Sequence, residues 1–371
     1  MKTKAAVLRE LNTPWSIEEI ELDPPQQREI LIKTTAAGMC HSDAHVVSGS
    51  ILAPLPIVGG HEGAGEVIEV GEGVTELQVG DHIAASFIPS CGRCRWCASG
   101  KQNICDLGMQ LLDPGMMPPA GGHRHHDFAG NDLNPMLKLG TFSEYMVLSV
   151  DSAVKVAPEI PASVAALVSC GVTTGYGSAI NRAEVGPGDT VAIVGCGGLG
   201  TAAIQASRIA GAANIVAVDP AELKRKAAID FGATHTAESM EEATALVSTI
   251  THGVMADSVI LTPGDMHGDM IAPAQFLARK AGTIVVTAVA PLEQMDVTLN
   301  LFEFAMMDKQ LRGTVFGSGS PRSEIPQVLG LYQAGMFDIE GMVTNTYTLD
   351  DVNQGYADMR DNKNIRGLIT F

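Results

Sequence analysis

The chain has 371 residues and carries 42 Asp and Glu against 24 Lys and Arg, which gives a formal net charge of −18. This acidity argues against nucleic acid or an anionic membrane surface as a partner, and no apolar run approaches the roughly 18 residues that a membrane span needs. A chain of this length is expected to form two domains.

About the first 110 residues are predicted to form short strands separated by tight turns. β-branched or alternating side chains predict strands at residues 5–8, 29–35, 65–70 and 82–87. Glycines crowd residues 59–73, which indicates turns and close backbone approaches in a β-rich domain. Pro and Gly recur too often in residues 112–140 for a long helix or strand, so we expect a functional or disordered loop there.

Four cysteines lie close together in the sequence, at Cys91, Cys94, Cys97 and Cys105. Thiolates at this spacing can converge on one tetrahedral Zn²⁺, and a site with four protein ligands is closed, so it holds a loop in place. Disulfides, scattered core thiols and an iron–sulfur cluster are the alternatives. Disulfide frameworks belong to small secreted domains, whereas no apolar segment follows the first seven residues, and we expect a cytoplasmic protein. The bacterial iron–sulfur pattern needs a shorter last gap followed by Pro.

From about residue 171 the pattern changes to alternating strands and helices. Apolar runs predict strands at 190–195, 214–219, 258–262 and 282–288, and we expect helices at 201–210, 223–231 and 272–279. Gly232 is suited to end the second of these helices. The alternation indicates βαβ units around a parallel sheet. After about residue 312 the pattern is mixed again and ends in a strand at 367–371, so the parallel-sheet domain is inserted into a domain built from both ends of the chain.

A glycine motif follows the first of these strands and opens a helix. It has the form G-x-G-x-x-G, with Gly195, Gly197, Gly198, Leu199 and Gly200. This context is typical of a dinucleotide site, where the glycines permit a tight turn, approach of the backbone to the pyrophosphate and close packing of the helix. The acidic residue Asp219 ends the next strand and is suited to accept hydrogen bonds from ribose hydroxyls, which favours NAD over NADP. Lys224 and Arg225 lie close enough in sequence to reach the same ribose, or are solvated charges on the helix.

Three cysteines lie outside the four-cysteine loop. Cys196 occupies a variable position of the glycine motif and is interpreted as an inert thiol. Cys40 begins the stretch that contains His41, Ser42, Asp43 and His45, while His61 and Glu62 follow about twenty residues later and Cys170 stands at the domain boundary. Spacing alone does not join residues so far apart.

The sequence resembles the zinc-dependent medium-chain alcohol dehydrogenases along essentially its whole length. The resemblance rests on the stretches at 38–43 and 60–65, the four-cysteine loop, the stretch at 170–178, the glycine motif and the closing residues 364–366. It implies an α/β protein, with a Rossmann NAD-binding domain at 172–312 and a β-rich GroES-like catalytic domain at 1–171 and 313–371. It also implies two Zn²⁺ per chain, NAD as the cofactor and an alcohol or aldehyde as the substrate.

The resemblance further assigns roles to single residues. It implies that Cys40, His61 and Cys170 bind the catalytic zinc, the ligand set of an alcohol dehydrogenase with one open position. Asp43 and Glu62 are expected to support these ligands, with Asp43 accepting the outer N–H of His61. It implies a proton relay from the Ser42 hydroxyl to the imidazole of His45 at the surface. It also implies that His41 and Arg366 contact the pyrophosphate and that Thr174 lies beside the nicotinamide.

The segments at 122–126 and 139–144 resemble the nicotinoprotein, or N,N-dimethyl-4-nitrosoaniline-dependent, branch of this family. That resemblance implies NAD that is held permanently and reoxidised in place by a redox carrier. A thiol-dependent formaldehyde dehydrogenase is the alternative enzyme, and a non-catalytic nucleotide-binding protein is the alternative outside enzymes. The family implies a homodimer or homotetramer. For His123, His125 and His126 we weigh a third metal site against a solvated loop, and favour the loop.

Overall fold

The computed structural model describes residues 1–108 and 121–371. These residues form two compact units. The first unit comprises Met1–Cys170, Ser320–Leu329 and Ile339–Phe371, and the second comprises Gly171–Gly319 and Gly330–Asp338. Residues 112–120 of the predicted loop lie outside the described residues.

The strands and helices are numbered in chain order. The strands are β1 Lys2–Leu8, β2 Ser16–Leu22, β3 Glu29–Met39, β4 Ile57–Val58, β5 Glu62–Val70, β6 His82–Ala85, β7 His125–His126, β8 Asp132–Pro135, β9 Tyr145–Ser149, β10 Ala153–Val156, β11 Thr190–Val194, β12 Asn214–Val218, β13 His235–Ala237, β14 Ala256–Leu261, β15 Ala278–Val286, β16 Gln310–Gly313, β17 Val343–Tyr347 and β18 Arg366–Thr370. The helices are α1 His41–Ser48, α2 Arg95–Ala98, α3 Ala162–Leu167, α4 Gly171–Gly177, α5 Gly198–Ile209, α6 Glu222–Asp230, α7 Met240–Ile250, α8 Ile271–Leu277, α9 Leu301–Met306, α10 Pro321–Gln333 and α11 Val352–Arg360. Among the described residues, none of the helices has both the length and the apolar character that a membrane crossing requires.

The first unit is built mainly from β-strands. Strands β1, β2, β7, β8 and β4 close into a small barrel, and a separate sheet has the order β10-β6-β5-β3-β18-β17, with β9 also paired to β3. The register of this sheet places Met39 opposite Gly367 and Gly38 opposite Glu62. The end of β3, the start of β5 and the start of β18 therefore meet at one place, and the residues that follow or begin these strands become neighbours.

The second unit contains a parallel sheet with the strand order β13-β12-β11-β14-β15-β16. Every side chain of β11 is buried, as expected for a strand whose two faces are both covered. The chain leaves β11 to one side towards β12 and later returns on the other side as β14. In an open α/β sheet, ligands bind at the carboxyl ends of the strands where the order reverses in this way. This arrangement confirms the Rossmann-type fold expected from the alternation of strands and helices.

The expectation of a solvated loop around the three clustered histidines is wrong for His125. His125 lies in β7, between Leu22 of β2 and Leu133 of β8, and has no exposed surface. Burial, together with the charges of neighbouring histidines, lowers the pKa of His125 to about 4. His123 and His126 instead pair with opposite oxygens of Asp132, at 3.1 and 3.0 Å. In the described residues these histidines belong to no group of side chains that could hold a metal.

Candidate metal centres and nucleotide loop

The four cysteines of the 91–105 loop converge in the first unit. Their sulfur atoms all lie within 4.8 Å of one another, and two of the separations are 3.9 Å, from Cys91 to Cys97, and 4.0 Å, from Cys94 to Cys105. A tetrahedron with Zn–S bonds of about 2.3 Å has edges of about 3.8 Å. The thiols are free, so the disulfide alternative is not realised, and their spacing fits a closed zinc site.

Backbone amides support this group of sulfur atoms. The N–H of Cys94 donates to Cys91 Sγ at 3.3 Å, and the N–H of Cys97 donates to Cys94 Sγ at 3.4 Å. Burial raises the pKa of the Cys94 thiol, but N–H groups of Asp106 and Cys97 outweigh it and lower that pKa to about 6. At Cys94 the loop therefore favours a thiolate, the form in which cysteine binds a metal. Burial instead raises the pKa of the Cys97 and Cys105 thiols.

A second group of ligand atoms is buried where β3, β5 and β18 meet. It consists of the thiols of Cys40 and Cys170, the imidazole of His61 and the carboxylate of Glu62, whose ligand atoms all lie within 4.8 Å of one another. Cys40 follows β3 directly, His61 and Glu62 stand at the start of β5, and Cys170 follows α3. The structure thus brings together three residues that spacing in the sequence could not join.

The orientation of His61 is set by a buried carboxylate. Its Nδ1 lies 2.9 Å from Oδ1 of Asp43, and both side chains are almost completely buried. The other ring nitrogen, Nε2, is buried and has no hydrogen-bond partner. An imidazole that donates its Nδ1–H to a carboxylate keeps a lone pair on Nε2, and this is the usual arrangement of a metal-binding histidine. The unpartnered Nε2 therefore fits a metal ligand.

The two thiols of this group have opposite protonation tendencies. The hydrogen bond with the Cys170 thiol, helped by His61, holds the pKa of Cys40 well below its ordinary value despite burial. The same bond, together with burial, holds the pKa of Cys170 well above its ordinary value. Such a pair shares a proton that a bound metal cation would displace. Two thiolates and one neutral imidazole match the catalytic zinc ligands of alcohol dehydrogenases.

Glu62 was expected to support the metal ligands from outside, but its carboxylate lies within the same cluster as Cys40, His61 and Cys170. The same carboxylate accepts a hydrogen bond from Arg366 at the start of β18, and both side chains are buried. A side chain at Gly38 would collide with Glu62 and with Arg366, so glycine at this position permits the pair to form. The guanidinium predicted to contact a pyrophosphate thus pairs with Glu62, while its Nε is buried without a partner.

The residues of the expected proton relay lie on helix α1. The Ser42 hydroxyl is 3.7 Å from Cys40 Sγ, which places it beside the ligand group. His45 lies one turn further along, and only 6% of its surface is exposed. The resemblance implies an imidazole at the surface, whereas the structure buries it. The His41 ring is half-buried, and its centroid lies 6.3 Å from that of His45.

The glycine motif in the second unit has the form expected of a nucleotide loop. Gly195 has a φ of +93°, and a side chain there would collide with Thr262 and Pro263. A side chain at Gly200 would collide with the carbonyl oxygen of Gly195, so the first turn of α5 packs directly on the loop. At Gly197, by contrast, an added Cβ would meet no atom within 4 Å. The loop is therefore open at the position where a dinucleotide site receives the pyrophosphate.

Other residues predicted to contact the nucleotide lie in the same unit. Asp219 follows β12, and its carboxylate accepts hydrogen bonds from the N–H groups of Cys196 at 2.8 Å and Ala221 at 2.9 Å. These bonds hold the carboxylate beside the glycine loop. Thr174, in α4, has a buried hydroxyl with no hydrogen-bond partner. Lys224 is half-buried on α6. The thiol of Cys196 is buried, which raises its pKa, and it belongs to neither metal-ligand group of the described residues.

Comparison with known proteins identifies the two parts of the chain. Residues 26–159 match the alcohol dehydrogenase GroES-like domain, and residues 198–334 match the zinc-binding dehydrogenase family. The chain is 48% identical over 372 residues to alcohol dehydrogenase B of Mycobacterium tuberculosis, covering 100% of this chain and 99% of that protein. It is 47% identical over 369 residues to the NDMA-dependent alcohol dehydrogenase of Amycolatopsis methanolica, with the same coverage.

A solved structure shows the same fold. The alcohol dehydrogenase zinc-binding domain protein from Burkholderia ambifaria superposes with a TM-score of 0.93 at 30% identity, covering 100% of this chain and 99% of that one. A Rossmann unit and a GroES-like unit with two groups of side chains that could hold a metal ion define an NAD(P)-binding, zinc-binding dehydrogenase. The chain belongs to the zinc-dependent medium-chain alcohol dehydrogenases, oxidoreductases that act on small molecules.

Proposed function

We propose that this protein transfers hydride between an alcohol/aldehyde pair and NAD, with a catalytic zinc at Cys40, His61 and Cys170 and a structural zinc at the four-cysteine loop. The observation that supports the proposal most strongly is the buried cluster of two thiols and one imidazole in the first unit. Asp43 holds one nitrogen of His61, while the other is left without a partner beside two thiols. When bound there, Zn²⁺ acts as a Lewis acid that lowers the pKa of a substrate hydroxyl.

The chain supplies the groups that handle the proton. Oxidation of an alcohol to an aldehyde passes a hydride to NAD⁺ and releases one proton. The Ser42 hydroxyl beside Cys40 is suited to accept that proton at Oγ, and the imidazole of His45, on the same helix, is suited to pass it on because a ring nitrogen can accept and release a proton. Glu62 and Arg366 neutralise each other in the buried site, so the pair adds no net charge to the ligand group.

We further propose that the nucleotide is NAD and that it stays bound through the catalytic cycle, with a redox carrier reoxidising it in place. Asp219 supports NAD because a buried carboxylate at the end of β12 would repel a 2′-phosphate. The identity of 47% with an NDMA-dependent alcohol dehydrogenase supports permanent binding.

Nucleotide content tests this assignment. After desalting, denatured protein is expected to release about one NAD per chain and no NADP, and the desalted protein is expected to oxidise alcohols with N,N-dimethyl-4-nitrosoaniline as acceptor without added NAD. Nucleotide-free protein that works only with added NAD would exclude permanent binding and leave the alcohol dehydrogenase assignment standing. Turnover of formaldehyde that requires mycothiol or glutathione would instead identify the thiol-dependent enzyme.

We propose that the protein is a homodimer or homotetramer with a subunit contact on the second unit. Five apolar side chains in the segment that precedes the edge strand β16 in the chain are between 63% and 86% exposed, namely Leu292, Met295, Leu301, Phe302 and Met306. Large exposed apolar patches are typical of protein interfaces, and an unpaired edge strand offers free backbone hydrogen bonds. A multiple of the subunit mass is expected in size-exclusion chromatography with light scattering, and a monomer at micromolar concentration would contradict the proposal.

A further inference from the structure

A tyrosine hydroxyl from the C-terminal helix reaches the carboxylate that orients His61. Tyr356 in α11 donates a hydrogen bond from its hydroxyl to Oδ2 of Asp43 at 2.7 Å, and the two residues are 313 positions apart in the chain. Only 4% of Tyr356 and none of Asp43 is exposed. This contact therefore joins the last helix of the chain to the ligand group within the buried interior of the first unit.

The two oxygens of Asp43 have separate partners. Oδ2 accepts hydrogen bonds from the Tyr356 hydroxyl and from the N–H of Cys40, the latter at 3.0 Å. Oδ1 faces His61 Nδ1. A buried carboxylate can rotate about its Cβ–Cγ bond unless donors hold both of its oxygens. The tyrosine hydroxyl therefore helps to fix the rotation that aims Oδ1 at His61, and through it the direction of His61 Nε2.

The position of the tyrosine ring does not depend on this hydrogen bond. Helix α11 is attached to the barrel by Asn353, whose side-chain amide accepts from the N–H of Trp15 and donates to the carbonyl of Trp15, both at 2.9 Å. The Tyr356 ring packs in the same apolar cluster as Phe142, with ring centroids 6.3 Å apart. The packing of α11 therefore places the Tyr356 hydroxyl next to Asp43. Removal of the hydroxyl alone should leave the ring in place.

We propose that Tyr356 is a positioning residue for zinc binding, which acts through Asp43 to hold the imidazole of His61 in its ligating orientation. The proposal rests on the proposed role of His61 as a zinc ligand. Because the Tyr356 hydroxyl donates to Asp43, its expected contribution lies in the orientation of His61. The rate at which zinc leaves the site therefore tests the role of Tyr356 more directly than the rate of alcohol oxidation does.

The test compares two tyrosines that each donate to a carboxylate. Tyr347 donates to Asp358 at 2.8 Å, and neither residue belongs to the metal-ligand groups of the described chain. In Tyr356→Phe, zinc is expected to leave the Cys40 site about tenfold faster in the presence of a chromogenic chelator, the lower end of the range for outer partners of metal ligands. The absorption bands of Co²⁺ placed in that site should shift. Release from the four-cysteine site, and both sites of Tyr347→Phe, should match the unaltered protein.

Three results would overturn the proposal. Tyr356→Phe with an unchanged zinc release rate and an unchanged Co²⁺ spectrum would show that the hydroxyl does not position His61, while leaving the ligand assignment intact. If the purified unaltered protein binds zinc only at the four-cysteine loop, the ligand assignment itself fails, and the role of Tyr356 fails with it. Equal effects of Tyr356→Phe and Tyr347→Phe would point to general loosening around α11 and would also contradict a specific role.

Discussion

Replacement of Cys40 by serine is expected to abolish alcohol oxidation while the protein remains folded. The change removes a thiolate from the buried group that also contains His61 and Cys170. A Lewis-acid metal contributes several kcal/mol to catalysis, so loss of its correct binding should lower kcat by about a thousandfold or more. Metal analysis of the purified variant should give one zinc per chain where the unaltered protein gives two, and circular dichroism should show the same secondary structure in both.

The same substitution at Cys91 serves as the comparison. It removes a thiolate from the four-cysteine loop, whose closed ligand set holds residues 91–105 in place. Here the loss of one zinc should lower the temperature of thermal unfolding, because metal binding stabilises the folded loop. The two variants should thus lose the same amount of metal with different consequences. Cys40→Ser protein that keeps two zinc atoms and normal turnover would refute the assignment of the catalytic site.

Replacement of Arg124 by alanine is expected to destabilise the first unit strongly, because it breaks a buried ion pair. Arg124 binds Glu29 with two hydrogen bonds of 2.8 and 2.9 Å, and both side chains are buried. Removing one partner of such a pair leaves a buried carboxylate without its countercharge, which costs about 3–5 kcal/mol. The free energy of unfolding of the first unit, measured by urea titration or hydrogen exchange, should fall by that amount.

An exposed pair with the same geometry provides the control. Arg9 binds Glu18 with two hydrogen bonds of 3.0 and 2.6 Å, but 43% of the Arg9 side chain is exposed. Surface ion pairs contribute about 0–1 kcal/mol because water screens them. Arg9→Ala should therefore change the stability little. Similar losses for the two variants would show that burial does not set the strength of the Arg124 pair.

The fold class was predictable because its signals are local. The glycine motif between a strand and a helix, and the alternation of apolar runs with helical segments, lie within short stretches of sequence and predicted the parallel sheet of the second unit. The spacing of Cys91, Cys94, Cys97 and Cys105 is equally local, and the structure places their sulfur atoms together.

The second group of ligands was not predictable from spacing, because it depends on the register of three strands. Cys40 and Glu62 become neighbours only when β3 pairs with β5, and Arg366 joins them only when β18 pairs with β3. Family resemblance supplied the association of Cys40, His61 and Cys170. No signal in the sequence indicated the contact of Tyr356 with Asp43, since 313 residues separate them and a lone tyrosine forms no motif.

The burial of His125 was missed for a related reason. Frequent Pro and Gly around it predicted an irregular loop, and the two-residue strand β7 is too short to show an alternating pattern. Its register partners on β2 and β8 are the buried residues Leu22 and Leu133. Its sequence neighbours Arg124 and His126 are polar, so only the pairing of β7 with β2 and β8 shows that His125 is buried.

Native mass spectrometry of the purified protein tests the central claim most directly, because it counts zinc and nucleotide on the same intact particle. We expect each subunit to carry two zinc atoms and one NAD, and the Cys40→Ser variant to carry one zinc atom fewer. An active preparation whose subunits carry a single zinc atom, or none, would contradict the account of a zinc-dependent alcohol dehydrogenase with separate catalytic and structural metal centres.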